Sequence, residues 1–143
     1  MMIKWTHIII HCSATHDSGT VSWNAIRNYH MNEKKWADIG YHAGIELVGN
    51  DYIVLAGRAM NRQGAHCQAG GMNKVSLGFC FIGNYDLVVP PTVMFVKGAE
   101  YVKGWMDILN IPVSNVKAHR DYESGKTCPG LKFNMDDFRD LLR

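Results

Sequence analysis

Three short apolar runs, rich in β-branched and aromatic residues, predict buried strands. They cover residues 5–12, 75–82 and 113–118. The small polar segment 13–15 follows the first run directly, so a loop is expected there and His11 falls at the exit of a strand. His119 directly follows the last run. Two histidines are therefore expected where buried strands end.

Two further runs predict a hairpin. Residues 42–48 and 52–56 flank Gly49-Asn50-Asp51, a sequence typical of a tight turn. The segment that follows, residues 61–73, contains three glycines and no periodicity. It is predicted to be a long exposed loop, and loops of this kind often line functional sites.

Apolar residues at helical spacing predict three helices. Ser22 is the expected N-cap of a short helix that ends near Glu33. A long helix, capped by Thr92 after two prolines, should extend to Leu109. Asn134 is the expected cap of the last helix, whose first turn carries two aspartates.

Size and composition agree with one soluble globular domain. The chain has 143 residues, of which 47% are hydrophobic and 20% charged, and this excludes a disordered or fibrous chain. No repeat or linker divides it, so residues 1–143 are predicted to form a single α/β domain, with a central mixed β-sheet flanked by helices. The net charge of only +2 argues against a nucleic-acid partner. The apolar stretch 8–10 is too short for an export signal or a membrane span.

Histidine and cysteine residues raise the question of a metal site. In a chain without an export signal, the four cysteines are expected as thiols or metal-bound thiolates and not as disulfides. His11, His119 and Cys128 offer two borderline ligands and one soft ligand, a set suited to zinc. Three protein ligands leave a fourth position for water, as in catalytic zinc sites. The spacing alone is weak evidence, because ordinary hydrogen-bonded histidines at a sheet edge give the same pattern.

Short motifs around these residues carry a more specific resemblance. They are His11-Cys12-Ser13-Ala14-Thr15 after an apolar strand, Gly40-Tyr41-His42, Ala56-Gly57-Arg58, Ser76-Leu77-Gly78 before a strand, and Lys126-Thr127-Cys128-Pro129 after Ala118-His119. In this order, and over nearly the whole chain, they resemble the zinc-dependent N-acetylmuramoyl-L-alanine amidases. That family includes phage amidase lysozymes and the peptidoglycan recognition proteins.

The resemblance implies a role for each matching residue. His11, His119 and Cys128 match the metal ligands of the family, with Zn²⁺ as the cofactor. A bound zinc lowers the pKa of water to about 7 and polarises a carbonyl oxygen, and amide hydrolysis benefits from both effects. Tyr41 and Lys126 match two positions tied to catalysis. Tyr41 is expected to orient the water or pass a proton, and Lys126 to stabilise the oxyanion.

The remaining histidines and cysteines are assigned by their surroundings. His66 lies in the predicted site loop and His42 follows Tyr41, so both are candidate substrate contacts. Cys12 should face away from His11, because successive strand residues point to opposite sides of a sheet. Cys80 lies inside an apolar run, and both thiols are therefore expected in the core.

The activity implied by the resemblance is hydrolysis of the amide bond between N-acetylmuramic acid and L-alanine in bacterial peptidoglycan. We expect a phage or prophage endolysin that is made in the host cytoplasm without a signal peptide, acts on the cell wall as a monomer and has no membrane span. A second hypothesis is a non-catalytic peptidoglycan-binding module, although such binders typically lack the cysteine ligand. A third is a metal-free hydrolase with Cys128 as nucleophile and His119 as base, which leaves His11 without a role.

Overall fold

A five-stranded mixed sheet positions the elements that carry the histidines. A computed structural model describes residues 2–15 and 22–143. The strands are β1 His7–Cys12, β2 Ala43–Val48, β3 Asp51–Ala56, β4 Ser76–Phe81 and β5 Val116–Ala118. Their order in the sheet is β3-β2-β4-β1-β5. β1 runs parallel to β4 and β5, and β2 is parallel to β4 but antiparallel to β3, so the predicted mixed sheet is confirmed.

The strand predictions hold with small shifts at the ends. β2 and β3 form the predicted hairpin, and Val48 pairs with Asp51 across the turn at Gly49, whose φ of +62° suits glycine. The last predicted strand is shorter than expected. Residues 113–115 form a 3₁₀ turn after Pro112, and only Val116–Ala118 pairs with β1.

The helices are α1 Trp23–Asn28, α2 Thr92–Leu109 and α3 Met135–Leu142. α1 is shorter than predicted, because the chain continues from Tyr29 to Glu33 as a π-helical turn. α2 covers the predicted range, but Thr92 is its first helical residue and Pro91 takes the N-cap position. Asn134 caps α3 as predicted, since its side-chain oxygen accepts a hydrogen bond of 3.0 Å from the backbone N–H of Asp137.

Alternation along β1 separates the main core from the face that carries His11. Ile8 and Ile10 are fully buried in the main core, where α2 and α3 cover the sheet. Ile9 points the other way and packs with Cys67 and Met72. His11 shares the face of Ile9, because side chains two apart on a strand point to the same side. The site therefore forms on the sheet face opposite α2 and α3.

Candidate metal centre

Strand register places His11 and His119 next to each other. Ile10 pairs with Ala118 between the parallel strands β1 and β5, so the two histidines that follow lie side by side. Their ring centroids are 4.7 Å apart. The loop after β5 returns Cys128 to the same place, where its Sγ lies 3.8 Å from His11 Nδ1. The strand exits predicted from the sequence therefore meet at one edge of the sheet.

The three predicted ligands form one cluster. The donor atoms of His11, His119 and Cys128 all lie within 4.8 Å of one another. Within residues 2–15 and 22–143, this is the one group of three His, Cys, Asp or Glu side chains gathered so closely. Two imidazoles and a thiol are the donor types that zinc prefers, and three protein ligands leave room for a water molecule. The residues therefore fit a zinc ion of the catalytic kind.

Burial controls the protonation of these donors. It lowers the pKa of His11 well below the usual value, and nearby His66 and His119 add to the effect. His11 is thus neutral, which is the form that binds metals. A hydrogen bond to the Cys12 thiol, followed by burial, raises the pKa of the Cys128 thiol far above its usual value. Metal binding at this site must therefore release the thiol proton.

An open cavity of about 420 Å³ lies over the donors. Its lining includes the three candidate ligands and the predicted residues Tyr41, Lys126 and His66. Polar and aromatic side chains complete the wall, namely His30, Lys34, Trp36, Asp86 and Thr127. A larger groove of about 690 Å³ beside α3 contains none of the ligands. The site is therefore identified by the side chains that line the cavity and not by the volume of the cavity.

Tyr41 lies against the candidate ligand His11, with ring centroids 5.2 Å apart. Burial, followed by the nearby thiols of Cys80 and Cys128, raises the pKa of the Tyr41 phenol well above its usual value. The hydroxyl is therefore protonated at neutral pH, with the buried Cys80 thiol as a hydrogen-bond partner. The motif Ala56-Gly57-Arg58 requires glycine at its centre, because a Cβ at Gly57 would lie 2.1 Å from the backbone oxygen of Tyr41.

Lys126 is exposed at the mouth of the cavity, on the loop that also carries Cys128. Asp86 anchors this loop through two hydrogen bonds. One carboxylate oxygen accepts from the Thr127 hydroxyl at 2.9 Å and the other from the backbone N–H of Leu131 at 2.8 Å. The sequence analysis did not find Asp86, because no local pattern connects it to Thr127, 41 residues later.

The two candidate substrate histidines have different positions. His66 lines the cavity, whereas His42 is not part of its lining. Both ring nitrogens of His42 bond to the backbone, Nε2 donating to the Arg62 oxygen at 2.9 Å and Nδ1 accepting from the Gly78 N–H at 3.1 Å. Substrate contact by His42 stays a prediction, and its position favours a role in holding β4 to the start of β2.

The other cysteines follow the sequence analysis in part. Cys80 is fully buried, as predicted. Cys12 packs against the main core, yet it is only half-buried and its backbone N–H donates to Cys128 Sγ at 3.2 Å. The alternation rule explains the packing against the main core, but the prediction of a core thiol is only partly right, because Cys12 also lines the cavity and its thiol hydrogen-bonds to Cys128. Cys67 is buried, and burial raises its pKa to about 11.

Another side chain that the sequence analysis did not find is Glu123. Its Oε2 lies 2.7 Å from Nε2 of His119. The spacing of four residues between the two is a signal that was available, because side chains four apart meet in helical turns. The short 3₁₀ turn His119–Asp121 starts such a geometry.

Fold and site together define a class of protein: an α/β domain whose mixed sheet carries, beneath an open cavity, a His-His-Cys cluster that could bind a metal ion. The profile of the family described as N-acetylmuramoyl-L-alanine amidase matches residues 2–131, and the chain belongs to this family. None of the helices in the described residues has the length and apolar character that crossing a membrane requires.

Relatives and solved structures include enzymes and recognition proteins. The endolysin of Enterobacteria phage K11 is 32% identical over 129 residues, which cover 88% of this chain and 81% of the endolysin. Peptidoglycan recognition protein 1 of Bos indicus is 32% identical over 103 residues, covering 68% of this chain but only half of that protein. The structure of bumblebee PGRP-SA has a TM-score of 0.80 and 29% identity, over 95% of this chain and 81% of its own. The amidase LysC of Clostridium intestinale URNW, with a TM-score of 0.81 and 22% identity over 98% and 86% of the two chains, shares the fold.

Proposed function

We propose that this chain is a zinc-dependent N-acetylmuramoyl-L-alanine amidase and acts on the bacterial cell wall as a phage or prophage endolysin. The observation that supports this function best is the complete His-His-Cys cluster in a cavity that Tyr41 and Lys126 also line. The similarity to a phage endolysin over most of both chains supports the biological setting.

His11, His119 and Cys128 would hold the zinc ion. When bound, zinc supplies a nucleophilic water at neutral pH and polarises the carbonyl oxygen of the amide. The chain has to present His11 neutral, which burial ensures, and to give up the proton of Cys128.

Tyr41 and Lys126 both line the cavity and would supply further chemistry. The protonated Tyr41 phenol lies beside His11 and would orient the water or the substrate carbonyl by donating a hydrogen bond to it. The Lys126 ammonium is exposed and can follow the negative charge that develops on the carbonyl oxygen. Because this charge appears only in the transition state, Lys126 is expected to affect turnover more than binding.

We treat residues 1–143 as one amidase domain, although the family match ends at residue 131. α3 lies beyond that match, yet its Phe138 is fully buried. The Phe138 ring packs at 5.7 Å from Phe81 of the sheet and at 5.6 Å from Phe133. The segment after residue 131 therefore completes the main core of the same unit.

The two alternative functions have less support from the site. A recognition module needs no cysteine ligand, whereas Cys128 here lies within reach of both histidines. A metal-free cysteine hydrolase gives His11 no role, although its Nδ1 lies 3.8 Å from the Cys128 thiol.

Digestion of purified peptidoglycan sacculi tests the proposal. We expect release of stem peptides with a free N-terminal L-alanine, detected by mass spectrometry, without new reducing sugar ends. A chelator should abolish the release and added zinc should restore it. Binding to sacculi without release would identify a recognition module. Undiminished release by metal-free protein would identify the cysteine hydrolase.

A further inference from the structure

Each of the two histidine ligands is held by a partner side chain, and the two partners differ in kind. His11 Nε2 lies 2.8 Å from Nδ1 of His66, and His119 Nε2 lies 2.7 Å from Oε2 of Glu123. Histidine ligands in metal sites commonly donate their second ring N–H to such a partner, which sets the tautomer and the ring orientation.

The hydrogen bonds through His66 run in one direction, from the His11 ring to the backbone oxygen of Ser76. His66 Nε2 lies 3.1 Å from the backbone oxygen of Ser76, and a carbonyl oxygen only accepts, so Nε2 carries the proton. Nδ1 of the neutral His66 ring is then the acceptor and His11 Nε2 the donor. As a result His11 Nδ1 carries its lone pair, on the side where Cys128 Sγ lies 3.8 Å away.

The fold provides a fitted space for the His66 ring. A Cβ added at Gly78 of β4 would lie 2.6 Å from His66 Cγ, and one added at Gly64 would lie 2.6 Å from His66 Cδ2. The backbone N–H of His66 donates to Asn73 Oδ1 at 2.8 Å. The His66 ring is buried, so water does not compete with its hydrogen-bond partners.

Glu123 acts on His119 from a more open position. A carboxylate only accepts hydrogen bonds, so His119 Nε2 is the donor, and in the neutral ring Nδ1 then carries the lone pair. The Glu123 side chain is 40% exposed, whereas that of His119 is 13% exposed. One ligand is therefore held by a buried neutral ring and the other by a partly exposed anion.

We infer that His66 and Glu123 are positioning residues that hold His11 and His119 in the tautomer that coordinates zinc through Nδ1. The inference rests on the proposed zinc site and names two residues that prepare it. His66 orients the His11 ring, because its own ring is held by the hydrogen bond to the backbone oxygen of Ser76. Glu123 acts by charge as well, because a carboxylate partner makes the imidazole a stronger ligand.

Zinc affinity, measured by competition with a chromophoric chelator, tests this without any need for peptidoglycan cleavage. We expect Glu123→Ala to weaken zinc binding about 10- to 100-fold. Glu123→Gln should recover part of the loss, since its amide oxygen still accepts a hydrogen bond but carries no charge. Asp107→Asn is the matched control, because it removes the carboxylate of another i,i+4 pair, with Lys103 on α2.

For His66, the informative pair is His66→Phe and His66→Asn. Phenylalanine fills the space between the glycines but accepts no hydrogen bond, so zinc affinity should fall by about 10- to 100-fold. Asparagine places an oxygen near the position of Nδ1 and should restore part of the affinity. His42→Gln is the control, since His42 is buried beside His66, with ring centroids 5.9 Å apart, but bonds only to backbone atoms.

One further readout separates a positioning role from a purely structural one. The absorption bands of bound Co²⁺ should shift in Glu123→Gln and His66→Asn, whereas a purely structural role would leave them at the parental wavelengths. Unchanged affinity in both Glu123→Ala and His66→Phe, or a parent protein that binds no zinc, overturns the inference. If His66→Phe does not fold, the Glu123 and His66→Asn variants still decide it. A parent protein that binds zinc tightly without cutting peptidoglycan contradicts the proposed function alone.

Discussion

Cys128 and Cys12 are neighbouring thiols with different expected roles, and substitution separates them. Cys128→Ser replaces the soft anionic ligand by a hydroxyl that hardly ionises, so the zinc content after dialysis should fall sharply from about one ion per chain. Cys12→Ser keeps the backbone N–H that bonds to Cys128 Sγ and should retain its zinc. Elemental analysis of both variants provides the measurement. Equal zinc contents in the two would show that Cys128 is not a ligand.

Lys126 and Tyr41 can be assigned to catalysis or to substrate binding. Lys126→Ala should reduce turnover on the order of a hundredfold, while zinc content and wall binding persist, because its charge acts on the developing oxyanion. Tyr41→Phe keeps the packing against His11, and loss of the hydroxyl should lower turnover by about two orders of magnitude. Turnover on sacculi and co-sedimentation with them are measured side by side. Loss of wall binding along with activity would make the residue a substrate contact.

His42 should make the stability of the metal-free protein depend on pH. Burial, followed by the charge of Arg58, lowers its pKa below the usual 6.5, although its bond to Arg62 opposes the shift. A depressed pKa in the folded state means that the contribution of His42 is complete above pH 6.5 and is lost as the pH falls below that value. Urea unfolding of the zinc-free protein at neutral pH and at about pH 5 should show this loss. The loss should be smaller in His42→Gln, and an equal loss in both proteins would contradict the assignment.

At the scale of elements, a buried carboxylate on the sheet holds the start of α1. Glu46 of β2 is fully buried and accepts hydrogen bonds from Ser22 N–H at 3.0 Å, from the Ser22 hydroxyl at 2.6 Å and from Trp23 N–H at 3.1 Å. Ser22 is thus at the predicted N-cap position, but its side chain makes no capping bond within the helix. Trp23 in turn fills the space above Gly44, where a Cβ would lie 2.3 Å from the indole ring.

Glu46→Gln should therefore destabilise the protein. The amide keeps only one acceptor oxygen and presents N–H groups to backbone donors, so we expect a loss of about 1 to 3 kcal/mol in the free energy of unfolding. Urea denaturation at neutral pH measures it. Glu100→Gln on the exposed face of α2 is the control and should change stability by less than about 0.5 kcal/mol. A Glu46→Gln protein as stable as the control would show that this cap contributes nothing.

At the scale of the whole molecule, zinc binding and folding are expected to be linked. The three ligands come from opposite ends of the chain and meet only in the folded state, so zinc should stabilise that state. Free zinc at about 100 times its dissociation constant contributes about 2.7 kcal/mol. For a chain of this size that corresponds to a rise of about 5 to 10 °C in Tm. Calorimetry with zinc and with chelator tests this, and Cys128→Ser should lose most of the difference.

The sequence by itself determined the strands, the hairpin, α2, α3 and the identity of the candidate ligands. These features depend on local information: period-two apolar runs, a glycine turn, helix caps, and residue types with a known affinity for zinc. Each of the motifs around Tyr41 and Lys126 also spans only a few consecutive residues. For that reason they could be found without coordinates and were sufficient to indicate the family.

Tertiary structure alone decided which distant side chains support His11, the Cys128 loop and the start of α1. The bonds from His66 to His11, from Asp86 to Thr127 and from Glu46 to Ser22 join residues 55, 41 and 24 positions apart. Such contacts depend on strand order and register, and on the space that Gly64 and Gly78 leave for a ring. No periodicity or turn signal in a short segment encodes these contacts. Two side chains far apart in sequence can bond only after the sheet has brought their two segments together.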